Sequence, residues 1–301
     1  MSGYAAAIVT VLIWAAYPVA TRAGVTGPFE PHDLMLLRFG VGALLFLPYL
    51  ALHSRAFCRD AWVKGIPLAM FQGAGMAALV ICGLQFAPAS HASALGPGVA
   101  PAWAALLGFL VFAQRPSARA LIGAALCAIG VFTLAARSAS SAGPWALVGD
   151  AMFIAASALG ALYVLQMRNW GIGSIQGAAI VTLYSALIVV PWHLWSTSGT
   201  LWQVALVDML WQVLWQGVLI GCVALVALNH AIRRLGPERS SALVALVPAL
   251  SAVLGLLFLG EVPSNYEIAA IIAISAGVSI GASRGYGGSP AASSASVKRA
   301  A

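Results

Sequence analysis

Ten stretches of this chain each run for roughly 20 residues almost without a charged side chain, and that pattern leaves few folds open. They lie near 3–21, 34–52, 65–86, 90–113, 119–136, 145–166, 174–195, 210–232, 240–260 and 265–283. Backbone amides cannot go unpaired in lipid, so segments of this length must be helices. Of the 301 residues, 61% are hydrophobic and 8% charged, whereas a soluble domain carries roughly 25% charged residues to cover its surface. The expected fold is therefore an all-α integral membrane protein with ten transmembrane helices.

The basic residues set the expected orientation. With the N-terminus inside, the inner loops and tail hold Arg55, Arg59, Lys64, Arg115, Arg119, Arg168, Arg233, Arg234, Arg239, Arg284, Lys298 and Arg299. The outer side holds only Arg22 and Arg137, with Arg38 just inside the second span. This asymmetry places both termini in the cytoplasm. It also explains a net charge of +7 without nucleic acid, because the cations are scattered and form no dense patch. The first apolar stretch lacks the basic start and cleavage site of a signal peptide, so it reads as a permanent span. Cys58, Cys82, Cys127 and Cys222 show no paired spacing, so neither a disulfide nor a metal site is expected.

The chain repeats itself. A shift of 147 aligns Pro101, Gly108, Pro116, Ser117, Gly130 and Arg137 with Pro248, Gly255, Pro263, Ser264, Gly277 and Arg284. Twelve of the 37 positions in 101–137 are identical at this shift. Nearby shifts align Tyr17 and Arg22 with Tyr163 and Arg168, and Gln72-Gly73 with Gln216-Gly217. Each copy holds five spans, an odd number, so the second must enter from the opposite side. The expected organisation is two inverted five-helix repeats, 1–141 and 142–284, followed by a disordered cytoplasmic tail, 285–301. Inverted repeats are characteristic of secondary transporters that alternate access around a midplane site.

No metalloprotease His-Glu-x-x-His, no Gly-x-Ser-x-Gly elbow and no phosphate-cradling Gly-x-x-x-x-Gly-Lys loop is present, so no catalytic residue and no enzyme activity are expected. Candidate binding residues come from helix breaks and buried polar groups. Gly96-Pro97-Gly98, followed by Pro101, interrupts span 4, and Pro248 is the matching break in span 9. Proline removes a backbone donor and clashes one turn back, which frees carbonyls to meet a substrate. Gln72 and Met76 share a face of span 3, and Gln212 and Gln216 a face of span 8. Ser93, Trp14, Tyr17, Trp103, Tyr163 and Trp215 could complete a mixed polar and aromatic cavity. Packing glue is the competing reading for the glutamines. Trp192, Trp195, Trp202 and Trp211 read as an interfacial belt. Arg38 and Asp150 read as structural residues near the outer ends of their spans. His91, at the outer end of span 4, is the one candidate proton-linked group, set against the plainer reading of an interfacial histidine.

The Trp14-Ala15-Ala16-Tyr17-Pro18 stretch, the small-residue run reaching Pro101, Ser240-Ser241-Ala242 to Pro248, and Gly260-Glu261 before Pro263 together resemble the EamA-type branch of the drug/metabolite transporter superfamily. Within it the chain is most similar to the YddG-type amino-acid exporters. The resemblance spans residues 1–284 and implies a cavity framed by spans 1, 3, 4, 6, 8 and 9. One departure stands out: the first copy has Gln114 where the second has Glu261. The implied function is export of amino acids, bulky or aromatic ones included, and related small metabolites across the bacterial inner membrane. The alternatives are a multidrug or other metabolite exporter of the same superfamily, or a non-transporting scaffold. The expected partners are a small-molecule substrate and membrane lipid, with no cofactor, no metal and a monomer as the working unit. The substrate-binding set is Trp14, Tyr17, Gln72, Met76, Ser93, Gly96, Pro97, Trp103, Tyr163, Gln216 and Pro248.

Overall fold

The computed structural model describes residues 2–53, 59–112, 116–137, 144–170, 172, 174–196, 200–235 and 243–282. The tail, Gln114, Arg55, Cys58, Arg115, Arg239, Arg284 and Ser240-Ser241-Ala242 lie outside the described residues. So do the side chains of Pro101, Arg168 and Arg233.

The described residues are helical apart from short turns. Spans 1 and 2 are α1 (Gly3–Val25) and α2 (Pro31–His53). Span 3 is α3 (Arg59–Gln72) and α4 (Ala74–Phe86), broken at Gly73. It starts several residues before the expected position 65, through a charged turn in which Lys64 pairs with Asp60 one turn back. Span 4 is α5 (Ala89–Leu95) and α6 (Ala100–Phe112), joined by a turn over 96–99. Then follow α7 (Ala118–Arg137), α8 (Pro144–Trp170) and α9 (Ser174–Ser196). Span 8 starts as α10 (Leu206–Gln212), continues as a π-helical stretch (Val213–Val223) and ends as α11 (Ala224–Leu235). The last spans are α12 (Val247–Leu259) and α13 (Asn265–Ala282).

The two copies run in opposite directions. Arg22, near the end of α1, and Asp150, near the start of α8, both stand at one end of the bundle, joined through Glu261, Glu267 and His91. That end is called here the Arg22 end.

Each proline break has a partner in the other copy. Pro101 is the second residue of α6 and Pro248 the second residue of α12, and each follows a turn. A proline tolerates the first turn of a helix, where its missing N–H is not needed. Hence each marks where a span restarts rather than where a continuous helix kinks. The first copy's turn covers four residues and the second's only Ala245 and Leu246.

Interior polar groups heal the breaks. At Gly73 the Ser185 hydroxyl of α9 accepts the Ala74 N–H at 3.0 Å, and a Cβ on Gly73 would stand 1.9 Å from that oxygen. In span 4 the Ser157 hydroxyl of α8 donates to the Gly96 carbonyl at 2.6 Å, and the Cys127 thiol to the Gly98 carbonyl at 3.5 Å. Without such partners each buried group would cost about 1–3 kcal/mol.

Small residues bring α7 and α13 together. A Cβ on Gly123 would meet the Gly277 carbonyl at 2.5 Å, and one on Gly277 the Gly123 carbonyl at 2.6 Å. In lipid this close backbone approach replaces the hydrophobic drive that holds soluble helices together. Large apolar side chains face outward instead, Phe132 at 75% and Phe258 at 74% exposure among them. Trp195 and Trp202, at 92% and 81%, stand near the Arg22 end, as an interfacial belt requires.

Candidate functional site

A line of polar side chains crosses from α2 to span 8 by way of α1. The Arg38 guanidinium donates to the Tyr17 hydroxyl at 2.6 Å and lies over the rings of Tyr17 and Phe39, 5.3 and 5.6 Å from their centroids. One turn along α1, the Thr21 hydroxyl donates to the Tyr17 carbonyl at 2.8 Å. It accepts in turn from the Gln216 amide at 2.9 Å. Gln216 also donates to Gln212 at 3.4 Å, and Gln212 donates to the Ala20 carbonyl at 2.8 Å. The two glutamines thus share a face, as their spacing predicted. Gln216 lies in the π-helical stretch; such departures from α geometry concentrate at functional sites.

Several buried polar atoms have no hydrogen-bond partner among the described residues. Beside this line stands the Gln216 Oε1; the indole N–H groups of Trp215 in the same π-helical stretch and of Trp103 in α6 are others. Arg38 is half-buried and meets no carboxylate among the described residues, where an interior cation is ordinarily paired. Sequence reasoning treated Arg38 as peripheral; its contact with Tyr17 brings it into the candidate set.

Of the other expected binding residues, Gln72 and Met76 face α8, where a Cβ on Gly160 would lie 3.7 Å from Gln72 Oε1 and from the Met76 sulfur. Tyr163 is one turn further along the same helix. Gly96 meets α8 through Ser157. Trp14 packs against the buried cluster of Val11, Ala15 and Val247, which joins α1 to α12 beside Pro248. Ser93 is buried and donates to its own helix, to the Ser90 and Ala89 carbonyls at 3.0 and 3.3 Å. Pro97 lies in the turn, half-buried.

The Arg22 end is closed by two ionic clusters. Arg22 pairs with Glu261 and also donates to the Leu84 and Ala87 carbonyls at the end of α4, at 2.7 and 2.6 Å. Glu261 accepts the Ala89 N–H at 3.0 Å, so one carboxylate of the second copy holds the end of α1 and the start of α5. Gly260, with φ 67°, ends α12 in the left-handed conformation that glycine adopts freely and turns the chain into Glu261.

In the second cluster His91 Nδ1 lies 2.8 Å from Asp150 Oδ1, and Nε2 lies 3.2 Å from Glu267 Oε1. His91 is buried at this end of the bundle. An imidazolium has a donor for each carboxylate; a neutral ring has a donor for only one. Glu267 also accepts the Ser264 N–H at 2.5 Å while Ser264 accepts the Glu267 N–H at 3.3 Å, a reciprocal cap that fixes the start of α13.

Between the clusters lies a cavity of about 170 Å³ lined by Arg22, Pro88, Ser90, Ala252, Glu261, Val262, Pro263 and Glu267. None of the eleven expected binding residues lines it. It belongs to the closure, whereas the polar line from Arg38 to Gln216 meets α1 from Tyr17 to Thr21, just before Arg22. Sequence reasoning missed the Arg22–Glu261 and His91–Asp150–Glu267 groupings; the Gln114/Glu261 mismatch was the available signal for the first. No metal site was expected, yet His32, Asp33 and His193 place three ligand atoms within 4.8 Å of one another.

Comparison with known proteins agrees with this architecture. The EamA-like transporter family model matches the chain twice, over residues 1–136 and 147–281. The threonine/homoserine exporters RhtA of Salmonella typhimurium strains SL1344 and LT2 are each 26% identical over 269 residues, covering 86% of this chain and 81% of the exporter. A protein of known crystal structure matches over 93% of this chain and 96% of its own, with a TM-score of 0.60 and 19% identity, which speaks for the fold alone. The chain belongs to the EamA-like transporter family.

Proposed function

We propose that this EamA-like transporter exports small zwitterionic metabolites, amino acids first among them, across the bacterial inner membrane by alternating access. The observation that carries the zwitterion reading is Arg38, a half-buried interior cation whose contacts are a phenol and two rings and no acid among the described residues. A substrate carboxylate is the natural partner for its guanidinium. The unpaired Gln216 Oε1 is an acceptor for the substrate ammonium, and the Trp103 N–H is a further donor. Leaving such atoms unpaired costs about 1–3 kcal/mol each, which a bound amino acid would recover. Gln72, Met76, Tyr163 and Trp14 line the remainder, with Met76 and the aromatic rings accommodating varied side chains. The RhtA exporters, named for threonine and homoserine, support the amino-acid class.

In this reading both termini are cytoplasmic and the Arg22 end faces outward, so the structure is closed to the outside. Opening requires Arg22 to leave Glu261 and His91 to release a carboxylate. Losing one proton from His91 removes one of its two donors, and so loosens the second cluster as substrate departs.

The test is counterflow in proteoliposomes with a panel of amino acids, their amides and simple cationic drugs. Amino acids should exchange and their amides should not. Arg38→Gln should abolish amino-acid exchange while leaving the protein monodisperse. Failure of every amino acid to exchange would overturn the substrate class. Equal exchange of amino acids and amides would overturn the role of Arg38.

A further inference from the structure

At the Arg22 end, His32 and Asp33 lie in the first turn of α2 and His193 lies in the last turn of α9, joining one helix of each copy. All three are buried, at 6%, 0% and 3% exposure. Asp33 Oδ1 lies 3.6 Å from His32 Nε2 and 3.5 Å from His193 Nδ1. These separations are too long for hydrogen bonds. The same three atoms have no hydrogen-bond partner among the described residues. Buried polar groups are ordinarily paired, so three unpaired atoms within 4.8 Å of one another call for a common partner.

The geometry suits an ion. Two donors bound to a tetrahedral centre at about 2.0–2.1 Å stand about 3.3–3.4 Å apart, close to the 3.5 and 3.6 Å between Asp33 Oδ1 and the two imidazoles. The surrounding groups hold the donors in place. Glu30 Oε2 lies 3.3 Å from His32 Nδ1, within ion-pair range, from where a carboxylate can orient a ligating imidazole. The other Asp33 oxygen accepts the Glu30 N–H at 2.9 Å, which fixes the carboxylate at the helix start. Two imidazoles and one carboxylate favour zinc-type ions over calcium or magnesium, which prefer all-oxygen shells.

We propose that His32, Asp33 and His193 bind one divalent first-row transition ion of zinc type, tying α2 of the first copy to α9 of the second. The site is distinct from the polar line around Arg38, and it stands or falls independently of the substrate.

The test is titration of Zn²⁺ into tag-free, chelator-stripped, full-length protein in detergent, with Mg²⁺ as control. One Zn²⁺ per chain should bind, raising the unfolding temperature, while Mg²⁺ does neither. His193→Ala and Asp33→Asn should each abolish binding. Glu30→Gln, at a half-exposed position outside the ligand set, should weaken affinity at least tenfold while the protein folds normally. Co²⁺ in place of Zn²⁺ should show the intense visible absorption of a tetrahedral centre. Absence of saturable Zn²⁺ binding overturns the proposal, as does binding that all three substitutions leave unchanged. If the ligand variants fail to fold, an unchanged affinity in Glu30→Gln together with a Co²⁺ spectrum lacking the tetrahedral bands overturns it equally.

Discussion

The two copies end their broken spans on nearly the same words, Ala113-Gln114-Arg115-Pro116-Ser117 in the first and Gly260-Glu261-Val262-Pro263-Ser264 in the second. In the second, Glu261 reaches Arg22 of α1 and the start of α5. The repeat aligns Arg22 with Arg168 and Glu261 with Gln114, so by sequence alone the aligned residues are a cation and a neutral amide. A shared plan thus carries different chemistry in its two copies. The Arg22 end is held by an ion pair across the copies, and the aligned sequence positions hold no acid. The lesson is energetic. On the proposed alternating-access mechanism the more strongly latched end is the one closed at rest, and in the proposed orientation that end faces outward.

Breaking the latch should have the largest effect. Glu261→Ala leaves the Arg22 charge and the Ala89 N–H without their acceptor. The pair is about one-fifth exposed, so its loss falls between the ~0.5 kcal/mol of an exposed pair and the 3–5 kcal/mol of a broken buried one. A shift of about 1.4–2.8 kcal/mol is a 10- to 100-fold change in the closed-to-open ratio. Labelling of an Ala252→Cys reporter in the neighbouring cavity by an impermeant maleimide should rise accordingly, and export should fall. An Arg22→Glu, Glu261→Arg exchange should recover only part of the closure, because glutamate cannot donate to the Leu84 and Ala87 carbonyls as Arg22 does.

Supplying the missing acid sharpens the comparison from the other side. Gln114→Glu should strengthen closure at the opposite end, raise outward accessibility in the same labelling assay and slow turnover several-fold. If it leaves both unchanged, the two ends do not compete as the repeat implies. The smallest effect concerns the caps that follow. Ser264→Ala removes the hydroxyl half of a reciprocal cap with Glu267, whereas Ser117→Ala removes a one-way bond from the Ala120 N–H at 3.2 Å. Both should lower thermal stability, by about 1–2 kcal/mol for Ser264 and about 0.5–1 kcal/mol for Ser117.

The sequence made the architecture legible because lipid forces apolar length and backbone pairing to coincide. The ten spans, the doubled family match and the positions of Pro101 and Pro248 all follow from local rules. The site was harder to read because its partners are remote in the chain. Ser157 answers the Gly96 carbonyl and Ser185 the Ala74 N–H, each a small residue among many small residues. Arg38 looked peripheral by its depth in α2, and only the fold shows that it meets Tyr17 and no acid among the described residues. His32 and His193 belong to different copies, so no spacing rule could pair them. The π-helical stretch that carries Gln216 has no marker in composition, since its residues are as apolar as their neighbours.

The most direct measurement is a pulsed electron–electron resonance distance across the latch, with spin labels at the exposed positions Ala23 and Val262 of the protein in liposomes. The latch account predicts a dominant short distance at rest and a longer population that grows in Glu261→Gln and when a transported amino acid is added. A single short distance unmoved by either would contradict it, because Arg22 and Glu261 would then be a fixed joint and not a latch that opens.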